Sequence, residues 1–324
     1  MCTAITLNTN NFYFGRTLDN DRSYGEQVVV TPRAYPFFFR SAGTLKRHLA
    51  FIGTAHISGG YPLYYDAVHE EGLCMAGLNF PSSAVYNPRV AGSTNLAQFE
   101  LIPYILGRCK SVKQAEGELE NINITHEQFS PAMPPASLHW ILADKGRCIV
   151  VESTRHGLEI HENAVGVLTN EPPFASQLAN LSHYMALSPE EPENTFYPRL
   201  NLAALGRGFG AYGLPGDLTS PSRFVRAAFA RGNSVCGDGE EDSVSQFFHI
   251  LDFVGQPRGA CAVGSGYEST IYSSCCNATR GIYYFTTYGC RCISAVNMYA
   301  EELESARLSA YNMQQPERIN KINY

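Results

Sequence analysis

The chain has 324 residues, 44% of them hydrophobic and 17% charged, with a formal charge of −6. That composition allows a sizeable core. The acidic balance and the lack of any run of Lys and Arg exclude a protein built to neutralise nucleic-acid phosphates, so an anionic substrate would have to be met by locally placed arginines.

Met1 to Tyr13 carries Asn8, Asn10 and Asn11 and no basic residue, unlike a secretory signal. No stretch approaches the roughly 20 apolar residues of a membrane span. A cytoplasmic location is expected, and with it free thiols for the ten cysteines, most of them as small buried residues. Cys290 and Cys292 would share one face of a strand, whereas the adjacent Cys275 and Cys276 would point to opposite faces. There is no C-x-x-C pair and no H-E-x-x-H, so no metal site is expected.

In chain order, Thr3 to Leu7, Gln27 to Thr31 and Leu49 to Gly53 read as strands, which places Cys2 at or near a strand edge. Glu70-Glu71-Gly72 reads as a turn between strands Tyr64 to Val68 and Leu73 to Leu78. A helix is predicted over Leu96 to Arg108, with Phe99, Ile102, Ile105 and Leu106 on one face, and a second over Ser111 to Glu120 behind an N-cap serine. This helical pair should pack on the sheet. Strands return at Leu138 to Ala143, Cys148 to Glu152, Leu158 to His161 and Val165 to Thr169. Helical patterns follow at Ser176 to Ala186, Ser222 to Ala230 and Val244 to Val254, then strands at Ile282 to Thr287 and Cys292 to Asn297. Blocks of strands alternating with blocks of helices fit layers of largely antiparallel sheet covered by helices better than β-α-β winding. With no internal repeat and no linker-like tract, residues 1–324 are expected to form one domain.

Gly206, Gly208, Gly210 and Gly213 lack the preceding strand and following Lys-Ser/Thr of a phosphate loop, and read as a surface loop. His139 and His249 lie in apolar patterns that suit satisfied core histidines, so neither is marked as a general base.

The strongest chemical signal is Met1-Cys2-Thr3. A small second residue permits removal of Met1, leaving a thiol and a free α-amine on one residue. Such groups titrate near about 8.5 and about 8 in peptides, so modest help yields a thiolate and a proton carrier at neutral pH. Around it stand Phe14-Gly15-Arg16-Thr17-Leu18-Asp19, Ala76-Gly77-Leu78-Asn79-Phe80-Pro81, Gly166-Val167-Leu168-Thr169-Asn170 and Gly213-Leu214-Pro215-Gly216-Asp217 with Ser222-Arg223-Phe224. Ser137-Leu138-His139-Trp140, Gln246 to Leu251 and Thr270 to Ser274 complete the set. In order and spacing, over nearly the whole chain, these segments resemble the choloylglycine hydrolase family of bile salt hydrolases and penicillin V acylases.

The resemblance implies an α+β N-terminal nucleophile hydrolase fold, a four-layer αββα sandwich of two antiparallel sheets. It implies Cys2 as nucleophile, with its own α-amine as general base and later general acid. Arg16 would favour the thiolate and contact substrate, and Asp19 would hydrogen-bond the Cys2 amine. Asn170 would offer its side-chain amide, and Asn79 its backbone N–H, to the tetrahedral oxyanion. Arg223 would brace the polar network, and Leu18 would line the substrate pocket. Asn79 stands where penicillin V acylases tend to place tyrosine, which favours conjugated bile salts as substrates. Penicillin V acylase activity or a non-catalytic bile-salt carrier are the alternatives. Neither metal nor organic cofactor is implied, and a homotetramer is. Glu171-Pro172-Pro173 departs from the family's Ser or Asn, Pro, Thr after Asn170 and bears on hydrogen bonding beside the oxyanion site.

Overall fold

The computed structural model describes residues 1–323. Its first hairpin pairs β1 (Cys2–Asn8) with β2 (Phe12–Asn20), and both strands are buried on both faces along nearly their full length. β3 (Gln27–Thr31) follows, then a short hairpin of β4 (Phe37–Phe39) and β5 (Gly43–Leu45). β6 (Phe51–Ser58), β7 (Tyr61–His69) and β8 (Cys74–Asn79) form a meander. Its last turn is Glu70-Glu71-Gly72, as the sequence indicates, with Gly72 at φ +89° and its N–H bonded to His69 O.

The helix predicted from Leu96 starts later. Residues 94–97 instead form β9 (Thr94–Ala97), and Gln98–Glu100 make one 3-10 turn in which the Glu100 carboxylate accepts from Ala97 N at 2.9 Å. α1 (Leu101–Arg108) then buries Ile102, Ile105 and Leu106, while Phe99 lies off that face, edge-on to Tyr61 and Phe129. α2 (Val112–Leu119) is capped by Ser111, whose Oγ accepts from Gln114 N. β10 (Ile122–Thr125) pairs in parallel with β9.

β11 (Leu138–Ala143), β12 (Cys148–Thr154) and β13 (Gly157–Glu162) continue the second sheet, and β14 (Val167–Leu168), shorter than predicted, returns to the first. α3 (Phe174–Asn180) passes into a 3-10 turn over Leu181–Tyr184 rather than running to Ala186. α4 (Ser220–Gly232) and α5 (Glu240–Asp252) precede β15 (Cys261–Val263), β16 (Gly266–Asn277), β17 (Ile282–Thr287), β18 (Cys290–Asn297) and β19 (Ser309–Asn312). His249 is exposed on α5 and is therefore not the core histidine that its apolar neighbours suggest.

One sheet runs β14-β1-β2-β16-β17-β18 with β15 beside β16; the other runs β13-β12-β11-β8-β7-β6-β3-β19, and every pairing within both is antiparallel. α4 and α5 pack on the first sheet, α1 on β7 and β8 of the second, and β1 and β2 meet β8 across the gap. The layers are αββα. Gly15 shows how tightly β2 and β16 approach: a Cβ there would stand 2.0 Å from Ser274 O.

Candidate active site

Cys2 opens β1 directly opposite Leu18 of β2, and Ala4 is opposite Arg16. Side chains of paired residues share a face, so Cys2, Arg16 and Leu18 point together into the gap between the sheets while Thr3 turns toward α4. Both Cys2 and Leu18 are buried.

On the α4 side, Arg223 is wholly buried and donates to Cys2 O at 2.6 Å, Thr3 Oγ1 at 2.7 Å and Asn170 Oδ1 at 2.7 Å. Burial pushes this guanidinium below its ordinary value, opposed by the Asp19 carboxylate 4.0 Å away. Asp19 accepts from Thr17 Oγ1 at 3.2 Å and Thr270 Oγ1 at 2.7 Å. Met1 is in place: its ammonium donates to Asp19 O at 2.6 Å and pairs with Glu268. Cys2 N is therefore a peptide nitrogen, and its single hydrogen goes to Asn170 Oδ1 at 2.8 Å; the bond expected between Asp19 and the Cys2 amine concerns the chain without Met1.

Asn170 Nδ2 donates to Asn79 O at 2.7 Å, so the two asparagines are in contact. Phe80 N bonds Ser137 O, which makes that pair hydrogen-bonded and turns the N–H of Asn79 away from β11. On the other side the pairing of β7 with β8 extends only to Asp66 and Ala76, and the Arg16 guanidinium enters where it ends, donating to Tyr65 O at 3.1 Å and Gly77 O at 2.5 Å. Thus Cys2, Arg16, Asp19, Asn79, Asn170 and Arg223, scattered over 222 positions of sequence, form one cluster, with Leu18 beside the thiol.

The sequence reading missed the group behind Arg16. Asp66 is buried between the sheets and accepts from Tyr272 Oη at 2.9 Å and Tyr283 Oη at 2.6 Å. Burial raises its pKa, while Arg16 and the two phenols pull the other way. Arg16 in turn is penalised by burial, yet Cys2, Tyr272, Asp66 and Tyr283 outweigh that and hold it above its ordinary value. An Asp set in the aromatic run Tyr64-Tyr65-Asp66 was the available signal.

The departure at Glu171 is structurally absorbed. Its carboxylate accepts from Ser82 N, Ser83 N and Ser83 Oγ at 2.8–2.9 Å, tying the segment after Asn79 to the segment after Asn170; the Glu171–Pro172 bond is cis. Away from this cluster, Cys290 and Cys292 do share a face of β18, and with Glu317 they bring ligating atoms within 4.8 Å of one another. Glu317 already accepts from Arg291 N and Arg318 N.

Two stacked antiparallel sheets between helices, with a cysteine at position 2 opening a central strand, define an N-terminal nucleophile hydrolase. Residues 2–311 match the family model described as linear amide C–N hydrolases, choloylglycine hydrolase family. The bile salt hydrolase/transferase of Lactiplantibacillus plantarum is 47% identical, and that of Clostridium perfringens 35% identical, each over 100% of both chains. The crystal structure of the C2A mutant of the conjugated bile acid hydrolase from Clostridium perfringens superposes with a TM-score of 0.92 at 34% identity, covering 100% of both chains. A penicillin V acylase from Agrobacterium tumefaciens, at 20% identity and TM-score 0.77 over 97% of this chain and 94% of its own, shares the fold. The chain belongs to the choloylglycine hydrolase family.

Proposed function

We propose that the chain hydrolyses the amide bond joining a bile acid to glycine or taurine, acting as one domain from which Met1 has been removed. The observation that carries the mechanism is that Cys2 is held at three points: its nitrogen by Asn170, its carbonyl by Arg223, and its side chain on the face it shares with Arg16. Once Met1 is gone, the Cys2 nitrogen carries additional hydrogens, and we assign one of them to the Asp19 carboxylate, which lies 4.0 Å from the Arg223 nitrogen that holds Cys2 O.

The Cys2 thiol passes its proton to the α-amine, and the thiolate attacks the amide carbonyl. The resulting oxyanion is met by Asn170 Nδ2 and the N–H of Asn79. As the C–N bond breaks, the α-amine returns the proton to the leaving glycine or taurine nitrogen, which leaves a thioester. Water then attacks that thioester with the amine as base, and the bile acid departs as Cys2 regains its thiol. Arg16 favours the thiolate and contacts substrate, while Leu18 lines the apolar pocket for the steroid. The same thioester is open to an amine in place of water, in keeping with the hydrolase/transferase names of the relatives.

Asn79 favours bile salts over penicillin V, and the complete polar cluster disfavours a non-catalytic carrier. We place the enzyme in the cytoplasm; no helix among the described residues is long and apolar enough to cross a membrane. We take the assembly to be a homotetramer, as the family resemblance implies; Met185, Phe196, Leu205 and Tyr212, all exposed between residues 185 and 212, are apolar side chains that association of any order could cover.

The test compares glycocholate, taurocholate and penicillin V as substrates for the protein and for Cys2→Ala, with N-terminal processing confirmed by mass. Amine released from the bile salts and lost in the variant is the expected result. Release mainly from penicillin V would transfer the assignment to the acylase, and no release at all would revive the carrier.

A further inference from the structure

Asn79 and Asn170 belong to different sheets. Asn79 ends β8 of the eight-stranded sheet, and Asn170 follows β14 of the seven-stranded one. No ladder of backbone hydrogen bonds therefore sets the distance between them; a single side-chain bond, Asn170 Nδ2 to Asn79 O at 2.7 Å, links them directly, while an oxyanion site depends on donors placed to within a few tenths of an ångström.

His139 spans that gap. It is wholly buried on β11, and its ring lies flat on Phe80, the neighbour of Asn79, with centroids 4.2 Å apart and planes 9° from parallel. Its Nε2 is 2.9 Å from the carbonyl of Thr169, the neighbour of Asn170. Its Nδ1 is 2.9 Å from Glu152 Oε1, which also accepts from Phe174 N at 3.0 Å, where α3 begins just beyond Asn170. A carbonyl only accepts, so the Nε2 bridge runs from Nε2–H to Thr169 O, and Nδ1 faces the Glu152 carboxylate.

The geometry points to His139, held by Glu152, as a positioning residue that, beside the direct Asn170–Asn79 bond, fixes the backbone next to Asn79 relative to the backbone next to Asn170. This rests on the reading of those asparagines as the oxyanion donors. A buried polar pair suits the task because its bonds are directional, whereas an apolar side chain of equal volume would leave the Thr169 carbonyl without its link to β11, with Thr169 held through its hydroxyl by Gln177 and Ser220 on the α3 and α4 side. His139 touches the neighbours of both donors and neither the thiol nor the α-amine, so its loss acts on the transition state more than on substrate binding or thiol reactivity.

The experiment uses His139→Asn, whose Nδ2 can replace Nδ1 toward Glu152 but which has nothing at the Nε2 position. The kcat for glycocholate should fall about tenfold while KM stays within about twofold. The rate of Cys2 alkylation by iodoacetamide, followed by mass on the N-terminal peptide, should remain that of the parent. His139→Gln, which returns a donor near the Nε2 position, should recover part of kcat. Should His139→Asn not fold, Phe80→Leu carries the test: it removes the stack, keeps both His139 bonds, and should lower kcat about threefold at unchanged KM. Unchanged kcat in these variants overturns the inference, as does a parallel loss of kcat and alkylation rate. An Asn170→Ala variant of normal kcat would instead remove the oxyanion reading beneath it, which the parent's own hydrolysis of glycocholate keeps separate from the substrate assignment.

Discussion

Arg223 donates to the carbonyl of Cys2 at 2.6 Å across 221 positions of sequence. The contact fixes the peptide that follows the nucleophile, and the second terminal nitrogen of the same guanidinium fixes Asn170. Arg223→Leu should cost about 3 kcal/mol of folding stability, because it strands Asp19 and three buried acceptors without their charged partner. It should also lower kcat/KM for glycocholate at least about a hundredfold. Arg223→Lys should rescue little, since one ammonium cannot reach both Cys2 O and Asn170 Oδ1. Urea unfolding and steady-state kinetics check both statements.

Removing a hydroxyl from the network behind Arg16 should be felt without touching the thiol. Tyr283 donates to Asp66 and shares a hydrogen bond with Thr54. Tyr283→Phe should destabilise the fold by about 2 kcal/mol, the range for a buried bond to a charged acceptor. In a double-mutant cycle with Asp66→Asn the two losses should not add, because both break the same contact. Additive losses in urea midpoints would count against the network.

The proposed mechanism requires a free α-amine on Cys2. A tag fused before Met1 and left uncleaved keeps Cys2 N as a peptide nitrogen, the state in which it bonds Asn170. That protein should fold with an unchanged thermal midpoint, within a few degrees, and show no detectable hydrolysis. The same tag at the C-terminus should leave activity intact, and activity in both would refute the amine as base.

Stability should fall in mild acid, in part through His69. Burial lowers the pKa of this imidazole, whose Nδ1 accepts from Glu71 N and Leu73 N and whose Nε2 meets Cys109 O. The unfolded chain takes up a proton near about pH 6.5 while the native ring resists it. Its contribution is thus fully present above about pH 6.5 and is lost as pH drops through the lower native value. His48, also lowered by burial, acts in the same sense. Urea midpoints measured from pH 7.5 to pH 5 should decline, and His69→Gln should decline less steeply over that window.

Local chemistry was enough for much of the frame. The strands β3, β11 and β17 have the ends that their β-branched and apolar runs imply, and Ser111 caps the helix it precedes. Periodicity failed where burial or competing partners overrode it. β2 and β16 were not legible as strands: they lie at the centre of a sheet covered on both faces, so neither alternates, and they carry Arg16, Asp19 and Glu268 where a core strand would be apolar. Phe99 and Glu100 fit a helical spacing, yet the Glu100 carboxylate finds Ala97 N and Arg40 N and ends the strand there instead.

The sequence by itself determined the reactive group, because a cysteine behind a removable methionine is a local covalent fact, and the motifs around Arg16, Asn79, Asn170 and Arg223 identified the family. Only the tertiary structure decided what holds them. Asp66, His139 and Glu152 are buried polar groups whose partners come from other strands or the other sheet; Asp66 in an aromatic run and His139 in an apolar one are marked in the linear chain, but the partners that hold them are not. A charge or imidazole survives burial only where directional partners surround it, and those partners exist only after the two sheets have closed on each other.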